Sequence, residues 1–178
     1  MGTRHMIGII KNKKYVVGQY GQWDGYPDGQ GAILLSILQN GGVEKLREKV
    51  DNCKFIDQKQ VRQYYIDAGD SPDNKSGFIS MEIAERMKQA HPTLDRDTGA
   101  KILQMIIDAE DVVELIDNSN FIEDDAFCEF AYVIDFDKNS LKFYCCGQKM
   151  YAEYPLTELP TVEEVVEKYK NFCNYEDE

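Results

Sequence analysis

The sequence predicts an α+β fold: one domain across residues 1–178, with a single antiparallel sheet built from N- and C-terminal hairpins and packed with helices. Three observations predict it. Strand-like runs with tight polar turns occur at both ends of the chain, whereas the stretch between them spaces its apolar residues as helices do. A chain of 178 residues with 43% hydrophobic content suffices for one compact core. No linker, repeat or low-complexity tract divides it.

The elements follow in order. Residues 5–10 and 15–20 are apolar runs around the polar turn Lys11-Asn-Lys-Lys14, which predicts a hairpin. Ala32-Ile-Leu-Leu-Ser-Ile-Leu38 is apolar on nearly every side and predicts a central buried helix ended by Gly41-Gly42. Further helices are expected at 43–50 and 57–68, then from a Ser80 cap to about Ala90, and from Asp95 or Asp97 onward with Leu103, Ile106 and Ile107 inward. The period then changes to two. Residues 128–136 and 141–145 predict a second hairpin around Asp137-Lys-Asn-Ser140, with a short strand near 150–154. Pro160-Thr161 opens a terminal helix over 162–172, and 175–178 should fray.

The functional signal is concentrated in Gly18-Gln-Tyr-Gly-Gln-Trp-Asp-Gly-Tyr-Pro-Asp-Gly-Gln-Gly31. This stretch holds five of the 13 glycines and the only tryptophan, with two tyrosines, two aspartates and three glutamines. A core has little use for that mixture. A site uses it well: glycine admits a ligand closely, aromatic faces stack, and carboxylates and amides anchor polar groups. The candidate ligand-binding residues are Thr3, Arg4, Tyr20, Gln22, Trp23, Tyr26 and Gln30. Arg4 would hold an anionic group, Trp23 and Tyr26 would stack, and Asp24 would orient donors or act as a base. Glu129, on a strand face with Ala131, Val133 and Asp135, is the second candidate catalytic carboxylate. The competing structural reading makes Trp23 a plug on the sheet edge, the aspartates helix caps and Glu129 scaffold. Arg96 is close enough in this scheme to reach a carboxylate of the loop.

Several chemistries are set aside. The loop lacks the Gly-Lys-Ser/Thr ending of a P-loop and the glycine spacing of a dinucleotide site. Asp73–Glu82 fails as a calcium loop, because Pro72 and Ile83 fall at the first and last ligand positions. Two histidines, His5 and His91, leave little for a histidine-based triad, although His5 is close in sequence to the loop. The five cysteines have no paired C-x-x-C spacing and read as reduced thiols. Neither a metal nor a cofactor is expected. The net charge of −12, from 20 basic and 32 acidic residues, opposes nucleic acid and is compatible with a basic protein partner or simply with solubility. No apolar run is long enough to span a membrane, and the expected location is cytoplasmic.

The opening Met1-Gly-Thr-Arg-His-Met-Ile7 and the stretch Tyr20-Gly-Gln-Trp-Asp-Gly-Tyr-Pro27 resemble a family of bacterial and bacteriophage proteins of unassigned function. Arg96-Asp-Thr-Gly-Ala-Lys-Ile-Leu103, Phe127-Cys-Glu-Phe-Ala-Tyr-Val-Ile-Asp135 and Tyr154-Pro-Leu156 carry the same likeness. The resemblance implies relatives and no activity, and phage membership implies a role in phage–host conflict. The hairpin-then-helix opening is also similar to N-terminal nucleophile hydrolases. Loss of the first methionine would expose Gly2, which has no nucleophile, so that chemistry would be absent or altered. Two expectations result. One is a small-molecule binding protein, with hydrolysis as its enzymatic form. The alternative is a non-enzymatic acidic interaction protein, such as a phage-encoded inhibitor of a host defence complex.

Overall fold

A computed structural model describes residues 2–176; Met1 and the tail residues Asp177 and Glu178 lie outside the described residues. The first hairpin forms as expected, from β1 (His5–Lys11) and β2 (Lys14–Gly21). Its two-residue turn puts Asn12 and Lys13 at φ 55° and 62°, the left-handed pair that matches strand twist. The second hairpin joins β5 (Phe130–Asp135) to β6 (Ser140–Cys145), and β7 (Lys149–Pro155) adds to β6.

The sheet is not purely antiparallel. Its order is β2-β1-β5-β6-β7, and β1 runs parallel to β5, His5 opposite Phe130 and Ile10 opposite Asp135. Alternation within each hairpin fixes its own faces but carries no information on how two hairpins align. The helical layer between them does that. A two-stranded parallel sheet of β3 (Cys53–Phe55) and β4 (Val113–Leu115) also forms, from strands too short to show a period.

Among the described residues six α-helices accompany the sheets: α1 (Gln30–Ile37), α2 (Val43–Lys49), α3 (Gln58–Asp67), α4 (Met81–Ala90), α5 (Lys101–Asp108) and α6 (Val162–Glu176). Local chemistry sets several of their starts. The Asp57 carboxylate accepts from Gln60 N–H at 2.8 Å, the Ser80 hydroxyl from Ile83 N–H at 3.3 Å, and Thr161 and Glu164 form a reciprocal box. Helix α5 departs from expectation. It starts at Lys101, and the amide of Ala100 is met by the Gln30 side chain at 2.8 Å, not by Asp95 or Asp97. Helix α6 runs to Glu176, through the first part of the tail expected to fray.

The result is a single-domain α+β fold with its main core on one sheet face. Leu34, Leu35, Leu46, Ile102, Leu103 and Val165 from the helices pack on Ile7, Ile9, Tyr132, Ile134 and Phe143 of the sheet. A smaller cluster of Met6, Ile122, Cys128, Ala131 and Val133 occupies the other face. Cys128 packs with Ala131 and Val133 on this face, because the strand begins only at Phe130. Burial is what stabilises these strands; each of the larger core side chains contributes roughly 1.5–3 kcal/mol.

Candidate functional site

The glycine–aromatic stretch is an ordered crossing between β2 and α1, held at several points. Gly25 N–H donates to the Thr3 carbonyl at 3.0 Å, and the buried Tyr132 hydroxyl donates to the Gly25 carbonyl at 2.6 Å. Gln30 N–H donates to the Asp24 carbonyl at 2.9 Å. Asp24 itself sits at φ 58°, a conformation its short polar side chain tolerates. Gly29 is required beside it, since a Cβ there would come within 2.5 Å of the Asp24 carboxylate. The Asp24 side chain lies at the N-terminus of α1 without capping it by a hydrogen bond.

Sequence-predicted site residues divide between two sides of this crossing. On one side, the Trp23 ring lies over Gly2, where a Cβ would be 2.3 Å from the indole. Two residues further along the same segment, the Arg4 guanidinium lies over the Phe127 ring at 4.6 Å. Glu129 accepts from Arg4 N–H at 3.0 Å, and its carboxylate stands 3.7 Å from Arg4 Nε. The Tyr20 hydroxyl donates to Gln22 Oε1 at 2.6 Å, and Tyr20 packs edge-on against Phe121. On the other side, Thr3 is buried, Gln30 is spent on α5, and Tyr26 tilts against Phe130 with centroids 5.5 Å apart. Arg4, Phe127 and Glu129 thus form one group, with Trp23 and Gln22 on Gly2 two residues away along the chain, while Thr3 is buried, Gln30 is committed to α5 and Tyr26 packs on Phe130. Arg96 does not reach the loop carboxylates; its carbonyl accepts Gln22 N–H, and its side chain lies 3.8 Å from Asp97.

That surface is open. Trp23 is 51% exposed and Phe127 52%, and the Asp24 carboxylate is exposed as well. The charges beneath it are incompletely met: Arg4 Nε is buried without a hydrogen-bond partner among the described residues. So are both ring nitrogens of His5, which is 1% exposed and packed so closely on Gly21 that a Cβ there would lie 2.1 Å from the ring. Burial pushes the His5 imidazole down to about 4, with the Thr3 carbonyl working weakly the other way. His5 and Phe127 were missed as participants. A histidine on the same strand face as Ile7 and Ile9 was a readable signal; Phe127 lies outside any periodic segment and gave none.

Among the described residues no group of three or more His, Cys, Asp or Glu is placed to hold a metal, and no helix is long and apolar enough to cross a membrane. Cys128 and Cys145 are buried, Cys53 and Cys173 half-buried and Cys146 exposed. In comparisons with known proteins, no family model, no curated protein and no solved structure matches this chain.

Proposed function

We propose that this is a binding protein whose recognition surface is the Arg4–Trp23–Phe127 end of the central sheet, and that it takes a small, flat ligand bearing an anionic group. One observation carries the reading. Arg4 is fixed in place by Phe127 and Glu129, yet its Nε is buried with no hydrogen bond and its carboxylate neighbour stands beyond hydrogen-bond distance. An arginine held on an aromatic face presents its remaining N–H groups in a rigid fork, the geometry that receives a carboxylate or phosphate. Trp23 beside it offers the stacking face.

In the hydrolytic form of this reading, Asp24 takes a proton from the attacking water and returns it to the leaving group as the ligand's bond breaks, while Glu129 positions Arg4. Thr3 takes no part as a nucleophile, because it is buried inside the chain's first segment. The likeness to N-terminal nucleophile hydrolases therefore supports at most an altered chemistry here. The likeness to bacterial and bacteriophage proteins supports a second reading, a basic protein partner, and the openness of the surface favours it. Exposed Asp24, Asp28, Glu123 and Asp125 accompany Trp23 and Phe127, an aromatic and acidic composition suited to a basic interface.

Native mass spectrometry of gently purified wild type and of R4A/W23A tests the choice. A removable small-molecule mass in the wild type that R4A/W23A lacks, at an unchanged melting temperature, supports the ligand. A mass kept by R4A/W23A overturns the assignment of the surface. A bare wild type that recovers a basic protein in low salt, lost in high salt and lost in R4A/W23A, moves the surface to the second reading.

A further inference from the structure

A separate site lies where α3 and α4 meet the edge of the central sheet. Two clefts adjoin there, of about 360 and 260 Å3, and share Leu94 and Arg96 as common wall. The larger is the right size for a small organic molecule, and Tyr65, Ile79, Met87 and Leu94 give it an apolar side. Gln19, Tyr20 and Asn118 line the smaller one.

The wall they share is held firmly. The Arg96 carbonyl accepts Gln22 N–H at 3.2 Å, the Gln19 amide donates to the Asp95 carbonyl at 3.1 Å, and the Thr98 hydroxyl donates to the Pro92 carbonyl at 2.7 Å. His91 is fixed in turn by stacking on Tyr64, centroids 3.9 Å apart and planes 14° from parallel. The charges are uneven. Lys88 is neutralised by Asp95 at 3.1 Å, whereas Arg96 meets Asp97 only through Nε at 3.8 Å, too long for a hydrogen bond. Arg96 thus places a loosely paired guanidinium at the waist of a partly apolar cleft.

We infer that this double cleft binds an organic acid, its flat apolar body against Tyr65, Met87 and Leu94 and its carboxylate or phosphate on Arg96. The shape selects the body and the guanidinium selects the acid. The Arg96 side chain is largely exposed and its backbone carbonyl, not its guanidinium, bonds the neighbouring strand, so R96A is expected to stay folded.

The test is a titration of the 15N-labelled full chain, followed by amide shifts, with benzoate, phenyl phosphate and inorganic phosphate as probes. At least one aromatic acid should move Lys88, His91, Arg96 and Gln19 saturably, with a dissociation constant near or below about 1 mM. Whichever of benzoate and phenyl phosphate binds tighter identifies the acid group. Inorganic phosphate should bind at least about tenfold more weakly, as should either aromatic acid to R96A, roughly 1.4 kcal/mol. A84W, which fills the larger cleft from its exposed rim, should abolish the shifts without touching Arg96. Absence of saturation by both aromatic acids, equal binding by R96A, or shifts centred on Arg4 and Trp23 would overturn the proposal; the last would support the other surface instead.

Discussion

The two ends of the central sheet are built on opposite principles. At the turn end, buried polar groups are answered. Asp135 takes the Lys142 ammonium at 2.6 Å and the amides of Asp137 and Lys138, the amides of Asn12 and Lys13 both donate to Asp137, and Lys11 reaches Asp51 at 2.7 Å. At the opposite end, which also carries exposed Trp23 and Phe127, Arg4 Nε and both nitrogens of His5 are buried without hydrogen-bond partners among the described residues. Folding alone favours the first arrangement, since an unmet buried polar group costs roughly 1–3 kcal/mol. The end that leaves these groups unmet is the one that carries the proposed recognition surface.

Substitutions can break this comparison, and the largest effect belongs to the paired end. Burial pushes the Asp135 carboxyl up, but Lys142 and the two turn amides outweigh it and hold it below the usual carboxylate range. D135A strands a buried ammonium and should cost about 3–5 kcal/mol, read as a fall in urea midpoint. At the other end the sign should reverse: H5L removes two unmet nitrogens and should leave stability at neutral pH unchanged or higher. A loss as large as that of D135A would erase the distinction between the ends.

The pH dependence sharpens it. The unfolded chain binds a proton at His5 near 6.5, and the native protein refuses it until about 4. Stability from this group is therefore intact above pH 6.5 and falls as pH drops towards 4, by ~3 kcal/mol in all. H5L should flatten that part of the profile, while the acid loss from Asp135 persists in it. An unaltered profile in H5L would show that the imidazole is already solvated or paired.

Smaller effects test how the crossing is held. Y132F deletes the bond to the Gly25 carbonyl and should cost about 1–2 kcal/mol, with faster hydrogen exchange confined to residues around Gly25. D24N keeps a side chain that tolerates the left-handed backbone and should change stability by less than about 0.5 kcal/mol, whereas D24V should cost about 1–2 kcal/mol. If D24N were the more damaging of the two, the carboxylate itself would be holding the crossing together.

Much of this was legible one element at a time. The Asn12–Lys13 turn, the Ser80 cap, the helix starts at 57 and 160–161 and the hairpin over 130–145 are local chemistry, and each formed close to where its residues said. What stayed illegible is relational. Nothing in either hairpin says that β1 lies parallel to β5, nor that Gln30 rather than Asp95 answers the start of α5. The candidate site shows the same limit. Composition located the crossing, but which of its residues face Arg4 depends on how the segment before β1 passes beneath it. Thr3 and Arg4 are adjacent in sequence and end on different sides for that reason.

The parallel pairing of β1 with β5 has a further consequence, in time. Arg4 and its partner Glu129 are 125 residues apart, so β1 emerges from the ribosome with only β2 beside it. At roughly 5–20 residues per second, its second neighbour follows on the order of ten seconds later. During that interval an apolar strand with one unpaired edge must be kept from other chains. The middle of the sheet, the most protected part of the finished protein, is then the part of the nascent chain most in need of a chaperone.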